Sequence, residues 1–268
     1  MRIRTFSALF LVLSLALATQ TAAQDWAKQV LEKSPRHQEW AAIKVGDRTV
    51  NAFVVYPEVK GKATAVIVIH ENSGLTDWAR TVADQLAANG YIAIAPDLLS
   101  GMVPADVKPA DFPGSDAARL VTRNVKPDDV TAALNATYEY VRKLPAANGK
   151  VAVAGFCWGG GNSFRYATNQ PGLAAAFVFY GPPPAEGIAN IKAPVYGFYG
   201  GDDARITATV PKSSEDMKAA AKSYDPVTYE GAGHGFMRSG MQPDATEPNK
   251  KAREQSWERW LKVLKGLK

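Results

Sequence analysis

The residues able to do covalent chemistry converge on Val151-Ala152-Val153-Ala154-Gly155-Phe156-Cys157-Trp158-Gly159-Gly160-Gly161, which holds the only cysteine of the 268-residue chain. An apolar run leads into Gly-x-Cys-x-Gly and a helix-compatible segment follows. That is the strand–sharp turn–helix context of a nucleophile elbow, with sulfur where serine oxygen is usual. Glycine on both sides leaves room for a strained turn that lifts the nucleophile above the carboxyl end of a sheet. The next backbone N–H, that of Trp158, is then placed to stabilise an oxyanion. A free cysteine elsewhere is most often a small buried hydrophobe; the two-sided glycine spacing after a strand is what points to catalysis.

A thiol nucleophile needs a base, and the base needs something to orient it. His234 lies in Tyr229-Glu230-Gly231-Ala232-Gly233-His234-Gly235-Phe236, a glycine-rich turn between a strand and the last helix, and is the expected base. The orienting acid should precede it, in the order nucleophile–acid–histidine used by α/β-hydrolases. Gly200-Gly201-Asp202-Asp203 directly follows an apolar strand, and spacing alone leaves Asp202 and Asp203 both open. His70-Glu71-Asn72-Ser73-Gly74 follows another strand, in the loop that supplies the second oxyanion N–H in that fold, here from Asn72. Glu71 is either close to the nucleophile or a solvated loop carboxylate. His70 is expected to close the strand end through a structural hydrogen bond.

These residues need a sheet to hold them. Glu39–Val45 and Thr49–Tyr56 read as antiparallel strands joined at Gly46-Asp47, a Gly-first pair suited to a type II′ hairpin. Beyond them short apolar runs alternate with amphipathic segments. Strands are expected at Ala63–Ile69, Tyr91–Ala95, Val151–Ala154, Ala174–Tyr180, Val195–Tyr199 and Val227–Tyr229. Helices are expected at Thr76–Ala88, Pro127–Leu144, Gly160–Ala167, Pro211–Ser223 and Arg253–Leu264. Near-continuous apolar strands alternating with helices imply an α/β class protein: a mostly parallel central sheet with helices on both faces. Leu98–Asn124, with Pro104, Pro109 and Pro113, is too long for an ordinary connection. It leaves the carboxyl end of a strand and is expected to be a lid insertion.

Residues 1–23 read as a signal peptide: Arg2 and Arg4 precede an apolar core from Ala8 to Ala18, and Thr21-Ala22-Ala23 offers small residues for cleavage. The expectation is a secreted or periplasmic protein, residues 24–268 forming one domain, a monomer with no stable membrane anchor after cleavage. Removing two arginines and no acids lowers the net charge from +5 to +3. Lys and Arg are scattered, so no nucleic-acid partner is expected. A single cysteine makes no internal disulfide. The three histidines, His37, His70 and His234, lie far apart, so no metal site is expected.

Taken together, His70-Glu71-Asn72-x-Gly74-Leu75, Ala95-Pro96-Asp97-Leu98, Gly155-Phe156-Cys157-Trp158-Gly159-Gly160, Gly200-x-x-Asp203 and Gly233-His234-Gly235-Phe236 resemble the dienelactone hydrolase family, over about Glu39 to Leu264. The resemblance implies an α/β-hydrolase fold, no cofactor, and a Cys–His–Asp triad falling on Cys157, His234 and Asp203. It thereby chooses between the aspartates. It implies that Glu71 accepts the thiol proton or holds the cysteine until substrate arrives. It also implies that Arg238, four residues after His234, binds a substrate carboxylate. The chain departs from the family where a second carboxylate-binding arginine would follow Pro-Asp-Leu: Gly101 stands there, which puts the dienelactone itself in question as substrate. The implied activity is hydrolysis of a small carboxylic ester or lactone through an acyl-thioester. The other function class open to the sequence is a catalytically silent periplasmic binding protein on the same scaffold, which would cleave no ester.

Overall fold

The computed structural model describes residues 26–102 and 114–267. The expected signal peptide, residues 1–23, and residues 103–113 of the expected lid lie outside the described residues. A short helix over residues 26–32 (α1) precedes a single eight-stranded sheet. Its strands are β1 Gln38–Val45, β2 Arg48–Val55, β3 Ala63–Ile69, β4 Ile92–Pro96, β5 Ala147–Phe156, β6 Ala175–Phe179, β7 Val195–Gly200 and β8 Tyr224–Tyr229. The order across the sheet is β1-β2-β4-β3-β5-β6-β7-β8. The β1–β2 and β2–β4 pairs are antiparallel, and every pair from β4 to β8 is parallel. This is the α/β-hydrolase fold. The β1–β2 turn is the two-residue loop read from Gly46-Asp47, with Gly46 at φ +58°.

Parallel strands covered by helices on both faces must be apolar on both sides, and every residue of β3, β4 and β6 is buried. Side-chain alternation divides them between two cores. Ile67, Ile69, Val151 and Val153 face α4 (Pro127–Arg142) and α5 (Trp158–Asn169). Val66, Val68, Ala152, Ala154 and Phe156 face α2 (Asp77–Ala88) and α9 (Glu247–Gly266). The second core is aromatic: Phe179 stacks on Phe156 at 4.7 Å and on Phe198 at 4.3 Å, and Trp260 of α9 stands edge-on to Phe179 at 5.0 Å.

Several boundaries differ from the sequence reading for identifiable reasons. β8 begins at Tyr224, ahead of Pro226, because an edge strand tolerates a proline that a central one does not. β5 begins at Ala147, where a register shift against β3 accommodates Gly149 at φ +88°. α9 begins six residues before Arg253; its first turn is exposed, so apolar periodicity does not mark it, whereas Thr246 ahead of Pro248 does. Four α-helices among the described residues lie outside the expected set: α1, α3 (Gly114–Arg123), α6 (Ala204–Thr207) and α8 (Phe236–Ser239); α7 spans Val210–Ala219. α3 lies inside the Leu98–Asn124 segment and packs Ala117 and Val121 on Leu99, with Leu120 and Trp158 beside them.

Candidate active site

Cys157 follows the last residue of β5 and caps α5 with φ 56° and ψ −115°, a conformation disfavoured for a residue with a side chain. Close packing enforces it. A Cβ on Gly155 would sit 1.9 Å from the Gly159 carbonyl oxygen, and one on Gly159 would sit 2.4 Å from the carbonyls of Ile69 and His70. The helix can therefore start tight against β3 only with glycine at both positions. The Cys157 N–H donates to Phe179 O at 3.0 Å, tying the turn to β6. The first N–H groups of a helix have no intrahelical partner, and that of Trp158 is the first of α5, next to Cys157.

His234 lies on the loop between β8 and α8. Its Nδ1 is 2.5 Å from Asp203 Oδ2, and because a carboxylate only accepts, Nδ1 carries the proton. Asp203 is buried on the loop after β7, and Asp202 is exposed. The other side of the ring meets Cys157. Hydrogen bonding to Cys157, then to Asp203, raises the His234 pKa to about 9 against the opposing effect of burial. The structure thus brings Cys157, His234 and Asp203 into one chain of contacts and leaves Asp202 outside it.

Glu71 also reaches the site, buried at the end of β3. Its Oε2 accepts from Arg238 Nε at 2.8 Å and its Oε1 from the Tyr180 hydroxyl at 3.5 Å. Glu71 in turn raises the Arg238 pKa. Arg238 is consequently not an isolated surface cation: its Nε is committed to Glu71 and its side chain is half-buried. Tyr180 escaped the sequence reading. It sits just beyond β6 at φ 41°, fully buried, edge-on to the His234 ring at 5.1 Å. Burial and the charges of Glu71 and Cys157 push its phenol pKa well up, so it stays a neutral donor. The signal that could have found it is its place at the carboxyl end of a parallel strand, where such sheets collect functional groups.

His70 is fully buried. Leu98 N–H donates to its Nε2 at 3.2 Å, so the proton is on Nδ1, which donates to Glu71 O at 2.6 Å. Burial lowers its pKa, and the ring stacks on Trp158 at 5.5 Å. Asn72 stands in the turn that follows, closed by Gly74 N–H donating to Glu71 O at 3.3 Å. Beside Gly101 the space is taken by Arg48, whose Cγ would lie 3.0 Å from an added Cβ.

Residues 50–267 match the profile of the dienelactone hydrolase family. The chain belongs to that family. It is 31% identical over 251 residues to a Saccharolobus solfataricus protein named as a candidate carboxymethylenebutenolidase, covering 81% of this chain and 94% of that one. A Methylorubrum extorquens protein of the same designation is 30% identical over 207 residues, 72% of this chain and 70% of the other. Among solved structures, a candidate dienelactone hydrolase from Klebsiella pneumoniae superposes with a TM-score of 0.73 at 25% identity, over 85% of this chain and 98% of that one. A dienelactone hydrolase-like promiscuous phosphotriesterase from metagenomic libraries shares the fold, with a TM-score of 0.72 at 22% identity over 87% and 98%. The protein is a dienelactone hydrolase-like hydrolase, in keeping with action on carboxylic esters.

Proposed function

We propose that this dienelactone hydrolase-like protein cleaves a small activated ester or lactone by acyl transfer to Cys157. The observation that carries the reading is the run of contacts Asp203–His234–Cys157 at the head of α5, with His234 held charged to about pH 9. An imidazolium of that kind stabilises a neighbouring thiolate. The Cys157 sulfur attacks the carbonyl carbon, a C–S bond forms, and the carbonyl π electrons move to oxygen. The backbone N–H groups of Trp158 and Asn72 are the donors assigned to that oxyanion. Its collapse breaks the ester C–O bond, and His234 protonates the departing oxygen. Water, losing a proton to His234, then attacks the thioester; the C–S bond breaks, the acid leaves, and thiolate and imidazolium are restored.

Thiolate is itself a good leaving group. The tetrahedral intermediate partitions forward only when the oxygen leaving group is comparably good, which favours enol esters, lactones of that type and aryl esters over amides. Glu71 serves by holding Arg238 at the site, and a guanidinium held there suits a carboxylate on the acyl part of the substrate. The n-region, apolar core and small residues of positions 1–23 support action after export, with a mature chain beginning at Gln24. The test is a panel of aryl esters and unsaturated lactones against wild type and Cys157→Ser, with rapid quench and intact-mass measurement. A transient acyl adduct on wild type, absent from the variant, is expected. Full hydrolysis by Cys157→Ala would overturn the reading.

A further inference from the structure

We propose that His70 is a positioning residue that sets the direction of the Asn72 N–H, and through it the second half of the oxyanion site; this rests on the acyl-transfer reading above. The carbonyl of Glu71 and the N–H of Asn72 are the two ends of one peptide plane. In a trans peptide they point in opposite directions, so whatever holds the carbonyl aims the N–H. Two donors hold that carbonyl: His70 Nδ1 at 2.6 Å and Gly74 N–H at 3.3 Å. The shorter bond comes from a ring that is itself immobilised. Its Nε2 accepts Leu98 N–H at 3.2 Å, its face stacks on Trp158, and it is wholly enclosed. The His70 carbonyl meanwhile lies against Gly159, where a Cβ would approach it to 2.4 Å. One residue thus touches the peptide of one oxyanion donor, the side chain of the residue carrying the other, and the elbow between them. Asp97 beside the ring is already engaged, accepting from Leu99 N–H at 3.1 Å and the Ser100 hydroxyl at 3.2 Å. The ring is therefore left with the backbone partners just described.

The distinguishing measurement compares two reactions of the same thiol. Ester hydrolysis builds charge on a carbonyl oxygen and needs the oxyanion donors. Alkylation of Cys157 by iodoacetamide displaces iodide at a saturated carbon and needs only the activated sulfur. His70→Phe keeps a planar aromatic ring, somewhat larger, and removes the Nδ1 donor. It should lower kcat for p-nitrophenyl acetate about 10²-fold, the scale of one lost oxyanion donor, with KM and the alkylation rate within about threefold of wild type. His70→Asn can place an amide N–H where Nδ1 stood and should recover most of the loss; His70→Gln cannot and should not. A kcat within threefold of wild type for His70→Phe, or a parallel fall of hydrolysis and alkylation in all three variants, would overturn the proposal. Should His70→Phe not fold, the Asn and Gln variants carry the same comparison. Cys157→Ala, run beside them, separates the two levels: if it still hydrolyses the ester, the acyl-transfer reading fails, and if it is inactive while the His70 variants keep wild-type kcat, only the role of His70 fails.

Discussion

The charge state of His234 is the quantity on which the mechanism turns, and removal of one sulfur atom should change it. Hydrogen bonding to Cys157 is the largest cause of its raised pKa, ahead of Asp203, while burial works the other way. With a pKa of about 9 the imidazole is roughly 97% protonated at pH 7.5. In Cys157→Ala the leading cause is gone and Asp203 remains, so the ring should titrate between about 6.5 and 8 and be mostly neutral by pH 8.5. Imidazole carbon–proton correlation spectra recorded from pH 5 to 10 measure this directly, with His234→Ala assigning the resonance among the three histidines. The sign for catalysis follows. On the proposed mechanism wild type needs an imidazolium to protonate the leaving group, so kcat/KM should fall as pH rises through about 9. Residual hydrolysis by Cys157→Ser needs His234 neutral as a base and should instead rise with pH through the lowered value. A His234 titration near 6.5 in wild type, or one near 9 in both proteins, would refute the coupling between sulfur and ring.

Three further outcomes are expected. Asp203→Asn should lower kcat by about 10³–10⁴-fold through loss of the Nδ1–H tautomer, while exposed Asp202→Asn stays within about threefold of wild type in the same steady-state assay; a reversed pair would assign the acid to Asp202. Arg238→Ala should reduce kcat/KM for a substrate acid about 10–150-fold more than for its methyl ester, the worth of a charge-assisted contact of roughly 1.5–3 kcal/mol, and an equal loss on both would mean that Arg238 acts only through Glu71. Trp260→Ala removes the fully buried indole set against Phe156, Phe177 and Phe179, and should cost about 3–5 kcal/mol in urea-unfolding free energy; a cost below about 1 kcal/mol would mean that α9 is not anchored there.

The parallel core was legible because its strands have to be apolar throughout: the runs at Ala63–Ile69 and Ala174–Tyr180 announce themselves without partners. The elbow was legible because its glycines answer to collisions, which leave the same residues wherever that turn is built. What the sequence hid is what depends on distant chain. Nothing local distinguishes Tyr180 from a core aromatic, since its φ of 41° and its place beside Glu71 come from β6 ending next to β5. Nor does spacing show that Glu71 and Arg238, 167 residues apart, share an ion pair. α3 was obscured by the prolines that precede it; Ala117, Leu120 and Val121 do carry helical spacing, but the proline-rich run invited a reading as loop.

The placement of the charges around Cys157 bears on the proposed acyl transfer. Cys157, Glu71 and Tyr180 stand close enough for their charges to influence one another, and two opposite cations, His234 and Arg238, are divided between them. Arg238 neutralises Glu71 across a 2.8 Å contact, which leaves His234 to face the sulfur and Asp203. Were Arg238 absent, the nearly buried Glu71 carboxylate would stand without its cation close to Tyr180. On the proposed mechanism, the ion pair that holds Arg238 therefore also screens Cys157 from a like charge. On that reading, a substrate carboxylate drawn to Arg238 would enter a neighbourhood whose charge is already balanced, and its binding would be felt at Cys157 through Glu71.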